Sequence, residues 1–449
     1  MVLKALLVWP NSRNEVLGWG DLGAIAEPLA LEYLGAGLQA DGVEVQILDL
    51  RLHPGALGVK LLEFRPDIVG VTAFSMHVRK AIAICRETKA ALPGCMTVAG
   101  GHHATFLPDD FRVDGVDAVV VGEGVRPLRE IARRAADGRG LDGIPGVWAR
   151  VGGAFAFGGD QPELKLDELP MPDRTLTSVD RASYFIDWMK PVALLRSTAG
   201  CPFRCTFCSV WKATDGKYLM RDFERVIEEI RAIPEDYVFL VDDEAFIHGK
   251  RMLAFAQALK AAGIRKRFMC YCRVDSILRE TESLEAWREV GLERLFVGID
   301  AISKKNLLEY NKRSSIQQIE QGLAEAKRLG FSLFCQFVVN TDYTERDFQQ
   351  LVRFIEHHKL EYVSFTVLTP LPGTDMLATF DHVIERQPNG RPNWDLFDTQ
   401  NAVTRTRLDK ASFRKEYRGL YRVFQGHYAQ YREHNQFSDK PAQEKVVQG

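Results

Sequence analysis

Short, nearly continuous apolar runs alternate with amphipathic segments along most of this 449-residue chain, and that alternation limits its fold more than any other feature. A strand that is apolar on both faces needs cover on both sides, and parallel neighbours are joined by helical crossovers that supply it. In the first part the runs are Leu3–Trp9, Glu44–Leu48, Ile68–Thr72, Met96–Ala99 and Ala118–Val121. Between them Ala26–Gln39, Ala56–Phe64, Val78–Leu92, Pro108–Phe111 and Arg126–Ala136 read as helical. The pattern predicts an α/β chain that opens with a doubly wound parallel sheet.

A second series starts at Ala193, with strands expected at Ala193–Ser197, Tyr237–Val241, Phe268–Cys272, Arg294–Ile299, Leu333–Val339 and Tyr362–Leu368. Helices are expected at Met220–Ala232, Lys250–Ala262, Ser283–Glu289, Ile316–Leu329 and Glu345–His358. Such βα repeats suit a partial (β/α)6 barrel, open on one side, with its chemistry at the carboxyl ends of the strands. Between the two series, WARVGGAFAFGG reads as a small hairpin and PELKLDELPMPDR as a turn-rich linker. The expected organisation is residues 1–140, a linker at 141–190, the barrel at 191–378 and a short helical C-terminal region at 379–449. In that last region Phe413, Leu420 and Phe424 are placed to pack a helix on the barrel, ahead of a frayed polar tail.

Bulk composition excludes more than it selects. A net charge of −2 gives no global field for nucleic acid, and no interleaved basic and aromatic face marks one. No apolar stretch approaches the ~20 residues of a membrane span. The opening MVLKALLVWP reads as a buried strand rather than a signal peptide. The 8 cysteines form one tight trio and scattered others, which is not a secreted disulfide framework and points to the reducing cytoplasm. Cys270, Cys272 and Cys335 sit within expected strands as small buried thiols.

The trio is Cys201, Cys205 and Cys208 in TAGCPFRCTFCSVW, a C-x₃-C-x₂-C spacing just after the first strand of the second series. Three thiolates select soft metals and iron–sulfur clusters. Zinc would want a fourth Cys or His nearby, yet the next histidine is His248. Electron-transfer ferredoxins close all four irons with cysteine, whereas this spacing leaves one iron of a cuboidal cluster open for chemistry.

With these neighbours the run resembles the cluster motif of the radical S-adenosylmethionine (SAM) enzymes. The resemblance implies that the three cysteines hold a [4Fe-4S] cluster, that SAM chelates the open iron, and that its cleavage yields a 5′-deoxyadenosyl radical. In VDDEAF the matching acids contact the methionyl amine, which makes Asp243 and Glu244 candidates; another acid of the trio can cap the following helix. In CRVD, Arg273 suits a carboxylate, or equally an ion pair with Asp275. Asp300 in VGID stands where the family usually has Glu, and VVNTDYTERD keeps only Thr344–Glu345 of its glycine-rich turn. TPLPGT resembles the last barrel motif of the cobalamin-dependent branch.

The front series resembles the cobalamin-binding domain of that branch, through GVTAFSMH, AGGHHAT and VVGEGVRPL at successive strand ends. Ligands of doubly wound sheets bind at such ends. Ser75, Met76 and His77 are expected nearest the lower face of the corrin. Gly100 and Gly101 allow close backbone approach, and His102 and His103 either contact corrin amides or are simply polar loop residues. Gly122, Glu123 and Gly124 open a helix whose amides can hold the nucleotide tail. The loop WPNSRNEVLGWGD lacks the histidine of the D-x-H-x-x-G motif, and DLRLHPG (Asp49–Gly55) has the wrong spacing, so no axial ligand from that motif is expected. Flavodoxin-like FMN binding would want a Ser/Thr/Gly-rich phosphate loop, and Pro10–Asn14 is a poor one.

The combined resemblance implies a cobalamin-dependent radical SAM methyltransferase. It would move a methyl group from SAM, via methylcobalamin, to an unactivated carbon of a small natural-product-type substrate. Electrons would come from an external one-electron reductant such as flavodoxin or ferredoxin. The same parts also serve oxidative cyclisation or ring rearrangement without methyl transfer. A cobalamin- or SAM-responsive binding protein is the reading outside catalysis, but it has no use for an open iron.

Overall fold

The computed structural model describes residues 2–11, 24–186, 188–377 and 381–432. The loop WPNSRNEVLGWGD and the C-terminal tail lie largely outside them. The first sheet contains β1 (Lys4–Trp9), β2 (Glu44–Asp49), β3 (Ile68–Thr72), β4 (Met96–Gly100) and β5 (Ala118–Val120). These five run parallel in the order β2-β1-β3-β4-β5. The hairpin expected from WARVGGAFAFGG is β6 (Val147–Val151) and β7 (Ala154–Phe157), and it adds to β5 as an antiparallel edge of the same sheet. Apolar side chains fill both faces of the sheet, Leu6, Val8, Val69 and Val71 on one and Ala5, Leu7, Ile68 and Val98 on the other. That two-sided burial is why these runs carry no polar alternation.

Helices α1 (Leu29–Gln39), α2 (Leu57–Phe64), α3 (Val78–Ala91) and α5 (Val125–Ala136) occupy the expected crossovers. The sequence reading missed α4 (His102–Phe106), a single turn at the end of β4, and the Pro108 segment is only a 3₁₀ turn, Pro108–Asp110. Neither is long enough to show a helical period.

The barrel consists of β8 (Val192–Leu195), β9 (Tyr237–Leu240), β10 (Arg267–Tyr271), β11 (Leu292–Asp300), β12 (Ser332–Val339) and β13 (Tyr362–Val367). They pair in chain order, all parallel, with β8 and β13 left as the edges of the open side. Its core takes in Phe413, Leu420 and Phe424 of a last helix, α6 (Lys410–Arg432), as expected. Between barrel and helix the expectation of helix fails. Residues 381–409 are a strap with bridges Val383–Thr404 and Arg386–Pro392 and one 3₁₀ turn, Trp394–Leu396. Pro388, Gly390 and Pro392 prevent a helix there. The strap turns back onto the first sheet, so Val383, Trp394, Phe397 and Val403 join that sheet's core. No helix among the described residues is long and apolar enough to cross a membrane.

Candidate functional site

The cysteine loop is held by carboxylates from the next strand. Asp242, just past β9, accepts hydrogen bonds from the Ser197 and Thr198 amides at 2.7 Å and from the Ser197 hydroxyl at 2.6 Å. Asp243 accepts the Gly200 amide at 2.7 Å. Gly200 has φ +87°, and a Cβ there would lie 2.2 Å from the Lys217 carbonyl oxygen, so the chain can enter Cys201 only through glycine. None of the three acids caps the following helix, the alternative the sequence left open; its N-terminal flank is His248.

Glu244 is buried, accepts the Arg273 amide at 2.8 Å, and leaves Oε1 without a hydrogen-bond partner. Burial pushes its carboxyl up to about 7. The Arg273 guanidinium donates to Asp275 at 2.8 Å and to the Lys312 carbonyl at 2.7 Å, and lies 3.7 Å from the Phe203 ring centre. One of its nitrogens is 3.9 Å from the Cys205 sulfur. The Arg–Asp pair and a position against the cluster loop thus occur together. Asp300, with φ +62°, forms an ion pair with Lys312, so its shorter side chain is committed within the protein.

Burial raises the Cys201 thiol to about 12 and the Cys208 thiol to about 11. Buried thiols of this kind ionise when a soft cation takes the sulfur, and Arg273 favours the same form. Three free cysteines on one pinned loop, a cation beside Cys205 and the orphaned Glu244 oxygen fit an iron–sulfur cluster with a polar ligand on its open iron.

The first sheet brings its own loops to the same place. After β3 a 3₁₀ turn, Ser75–His77, follows Phe74. His77 is buried, its Nδ1 accepting the Phe74 amide at 3.3 Å and its ring packed on Trp9 and Phe74. The residue this turn shows to solvent is Phe74, at 45% exposure, with Met76 half-buried beside it. After β4, Gly100 leads to Gly101, whose φ is +95°; a Cβ there would lie 2.6 Å from Thr72 Oγ1. This packs the β4 loop against β3. His102 and His103 then open α4 and diverge. His102 Nε2 is 2.7 Å from Ser209 Oγ, directly after the last cluster cysteine. Burial lowers it to about 4, so its ring is neutral at pH 7.

His103 is buried the other way, its Nε2 3.0 Å from Asp110 and its Nδ1 3.0 Å from Ser75 Oγ. Burial lowers this ring too. A carboxylate can only accept, so Nε2 carries the proton and Nδ1 accepts from the Ser75 hydroxyl. His103 therefore supports the turn from within. The Glu123 carboxylate accepts the Val125 amide at 2.6 Å and the Arg126 amide at 3.3 Å, capping α5. Gly122 donates to Thr105 Oγ1 at 3.1 Å, and Gly124 lies against Leu34. That cap occupies the amides expected to hold a nucleotide tail.

Further contacts close the strand ends of sheet and barrel on each other. The Phe106 ring abuts Gly373 of TPLPGT, where a Cβ would come within 2.6 Å, and Lys212 pairs with Asp375 at 2.5 Å. Around the gap Trp9, Phe74, His102 and Phe106 form a run of rings with centres 5.1–6.1 Å apart. An exposed ring beside packed ones suits a broad, largely apolar ligand such as a corrin. Sequence reading did not single out Phe74, Asp110, Ser209 or Trp394. Phe74 and Ser209 lie inside quoted motifs and Asp110 in an expected helix, but the roles of Ser209, Asp110 and Trp394 are fixed by contacts with other segments.

Residues 19–132 match the B12 binding domain model and residues 195–355 the Radical SAM superfamily model. The chain is 32% identical over 392 residues to the hopanoid C-3 methylase of Methylococcus capsulatus, covering 86% of this chain and 74% of that one. It is 26% identical over 400 residues to the anaerobic magnesium-protoporphyrin IX monomethyl ester cyclase of Rubrivivax gelatinosus, covering 85% of this chain and 71% of that one. Among solved structures it shares a fold with the radical SAM methyltransferase TsrM from Kitasatospora setae, a structure with cobalamin and a [4Fe-4S] cluster bound. The TM-score is 0.68 at 18% identity, covering 88% of this chain and 83% of that one. A sheet with cobalamin-type loops, a barrel with an open-iron cysteine motif and a methylase relative matched across both domains converge, and the chain belongs to the cobalamin-dependent radical SAM enzymes, of the methyltransferase type.

Proposed function

We propose that this protein methylates an unactivated carbon of a small natural-product-type molecule, in the gap between the strand ends of sheet and barrel. When bound, the cofactors supply the hard chemistry: a SAM-derived radical that takes the substrate hydrogen, and a cobalamin-carried methyl group that replaces it. The observation that carries the reading is the contact of His102 with Ser209, which sets the β4 loop of the sheet against the cysteine loop of the barrel.

The chain's own residues position and exclude. Cys201, Cys205 and Cys208 hold the cluster, with Arg273 stabilising the sulfur of Cys205. Glu244 offers its free buried oxygen toward the methionyl end of SAM, while Asp242 and Asp243 keep the loop in shape. Asp300 acts on that site through Lys312, whose carbonyl in turn holds Arg273. Phe74 and Met76 face the cobalamin, with Ser75, His77 and His103 fixing their turn. The aromatic lining keeps water from the reacting carbon. A cytoplasmic flavodoxin or ferredoxin supplies the electron, since open-iron chemistry needs a reducing setting and the described cysteines are all free.

Anaerobic reconstitution followed by visible spectra and product analysis tests this. Methyl transfer yields S-adenosylhomocysteine as well as 5′-deoxyadenosine. Cyclisation or rearrangement on the same scaffold yields deoxyadenosine alone, and absence of cobalamin uptake sinks both. A Cys205→Ala variant is expected to lose the cluster absorbance and all deoxyadenosine formation.

A further inference from the structure

The strap of residues 381–409 touches the first domain where its ligand loops are braced. Trp394, buried, sets its ring edge-on to His103 with centres 4.7 Å apart and an interplanar angle of 76°. Arg391 donates to Asp110 Oδ1 at 2.6 Å, and Asp110 uses its other oxygen to accept from His103. His103 accepts from the Ser75 hydroxyl. One route therefore runs from Arg391 through Asp110 and His103 to Ser75, with Trp394 packed along it. Outside it, Asp395 pairs with Arg79 at 2.5 Å, fixing the Trp394–Leu396 turn to the start of α3. The barrel and its cysteines take no part in this set of contacts.

We infer that the strap is a working part of the cobalamin cradle, and that Trp394 is a positioning residue for cobalamin, acting through His103 on the Ser75–His77 turn. The physical argument is one of degrees of freedom. The Ser75–His77 turn joins β3 to the start of α3, and the direction in which it presents Phe74 and Met76 would set how a rigid macrocycle seats against it. His103 holds the turn through Ser75 and is itself held by Asp110, so its ring position depends on both hydrogen bonds and on what packs against it. Trp394 and Phe111 both pack on the ring at near right angles, Trp394 the nearer with centres 4.7 Å apart. The segment after the barrel thus serves the domain before it, and cobalamin affinity depends on residues nearly 300 positions away in sequence. This inference rests on the cobalamin reading above.

Its test uses the full chain, with hydroxocobalamin as the probe and anaerobic reconstitution of the cluster as an internal control. Trp394→Ala is expected to bind hydroxocobalamin at least about tenfold more weakly, the scale seen when a residue that orients a ligand-holding side chain is removed. Its cluster spectrum should match that of the parent protein, since the strap does not touch the cysteine loop. Trp394→Phe, which keeps an aromatic edge against His103, should restore most of the affinity. The spectrum of bound cob(II)alamin should shift in the Ala variant and return in the Phe variant. Should Trp394→Ala fail to fold, Arg391→Ala and Asp395→Ala leave the indole in place and are each expected to weaken binding two- to threefold. Parent-like binding in every variant that folds overturns the inference, as does loss of cluster and cobalamin together. If the parent protein itself takes up no hydroxocobalamin, the proposed function fails instead.

Discussion

Sheet and barrel meet along two seams of different character. At the linker seam, charged groups from three parts of the chain are buried together. Glu27 accepts the Leu194 amide and pairs with Arg181, which also donates to Glu235 at 2.6 Å. Arg174 holds the Leu194 carbonyl at 2.7 Å and Glu229 at 2.8 Å, while Thr177 donates to Glu32 at 2.6 Å. Leu29, Tyr33, Val125, Leu166 and Leu169 add an apolar layer beside them. At the strand-end seam the contacts include one His–Ser hydrogen bond, one partly exposed ion pair, the edge of a phenylalanine, and Leu371 and Leu377 packed on the first sheet's core. Buried, mutually dependent charges tolerate no partial opening, because each lost partner leaves a desolvated ion. Single hydrogen bonds and partly exposed ion pairs part at little cost. The linker seam is the fixed side of the joint; on the proposed function, the strand-end seam would be the side that admits cofactors and substrate.

The largest way to break that comparison is Arg181→Ala. It strands Glu235 and leaves Glu27 with only Arg174 at 3.5 Å and the Leu194 amide, and a destabilisation of about 3–5 kcal/mol is expected in chemical denaturation, with the two domains unfolding in separate steps. A loss below that of any strand-end variant would invert the assignment of the two seams.

Asp242→Ala comes next. It leaves the Ser197 and Thr198 amides without their acceptor in a buried loop, at a cost of about 2–3 kcal/mol. Because the damage sits beneath Cys201, cluster loading should fall before global stability does. Iron content against melting temperature separates the two effects.

The linker seam also predicts a pH dependence. Burial and the neighbouring Glu27 push the Glu32 carboxyl up to about 8, although Thr177, Arg174 and Arg181 favour its charge. Glu27 is likewise raised by burial, so the two shifts share a sign. The folded state then keeps a proton that the unfolded chain, at the ordinary glutamate value of 4.5, has released. Stability contributed in this way is full below pH 4.5 and is lost as pH rises through about 8. Over pH 6 to 7.5 the decline should be about 1–2 kcal/mol, and Glu32→Gln should flatten it. A melting temperature rising with pH across that window would contradict the burial of this pair.

The parallel strands were legible because burial on both faces writes itself into consecutive residues; Ile68–Thr72 was bounded correctly from the apolar run alone. The cysteine loop was legible because its ligands lie close together in sequence. What could not be read arises from distance. His102 and His103 are adjacent and chemically identical, yet one faces the cluster loop and the other a tryptophan from beyond the barrel. Asp242, Asp243 and Glu244 offered three equivalent carboxylates, and only the backbone amides that approach them separate their roles. The strap was read as part of a helical region because its partner, the turn at Ser75, lies in another domain and leaves no mark in its own sequence.

The smallest expected effect is the most telling about the joint. His102→Ala removes one neutral hydrogen bond and leaves the buried Ser209 hydroxyl without it, so stability should fall by only about 1 kcal/mol. If that contact merely glued the seam, catalysis would change as little. The contact instead sets the β4 loop against the residue after Cys208, and on the proposed function it would fix the distance over which a substrate radical must meet the methyl group. Loosening it should leave cluster loading and cobalamin binding near parent values while more deoxyadenosine forms per methylated product, because radicals made on the barrel side miss their partner. His102→Asn, which can still reach a hydroxyl, should recover part of the coupling. An unchanged ratio of deoxyadenosine to product in the alanine variant would show that the linker seam alone sets the gap, and that the strand-end contacts only follow it.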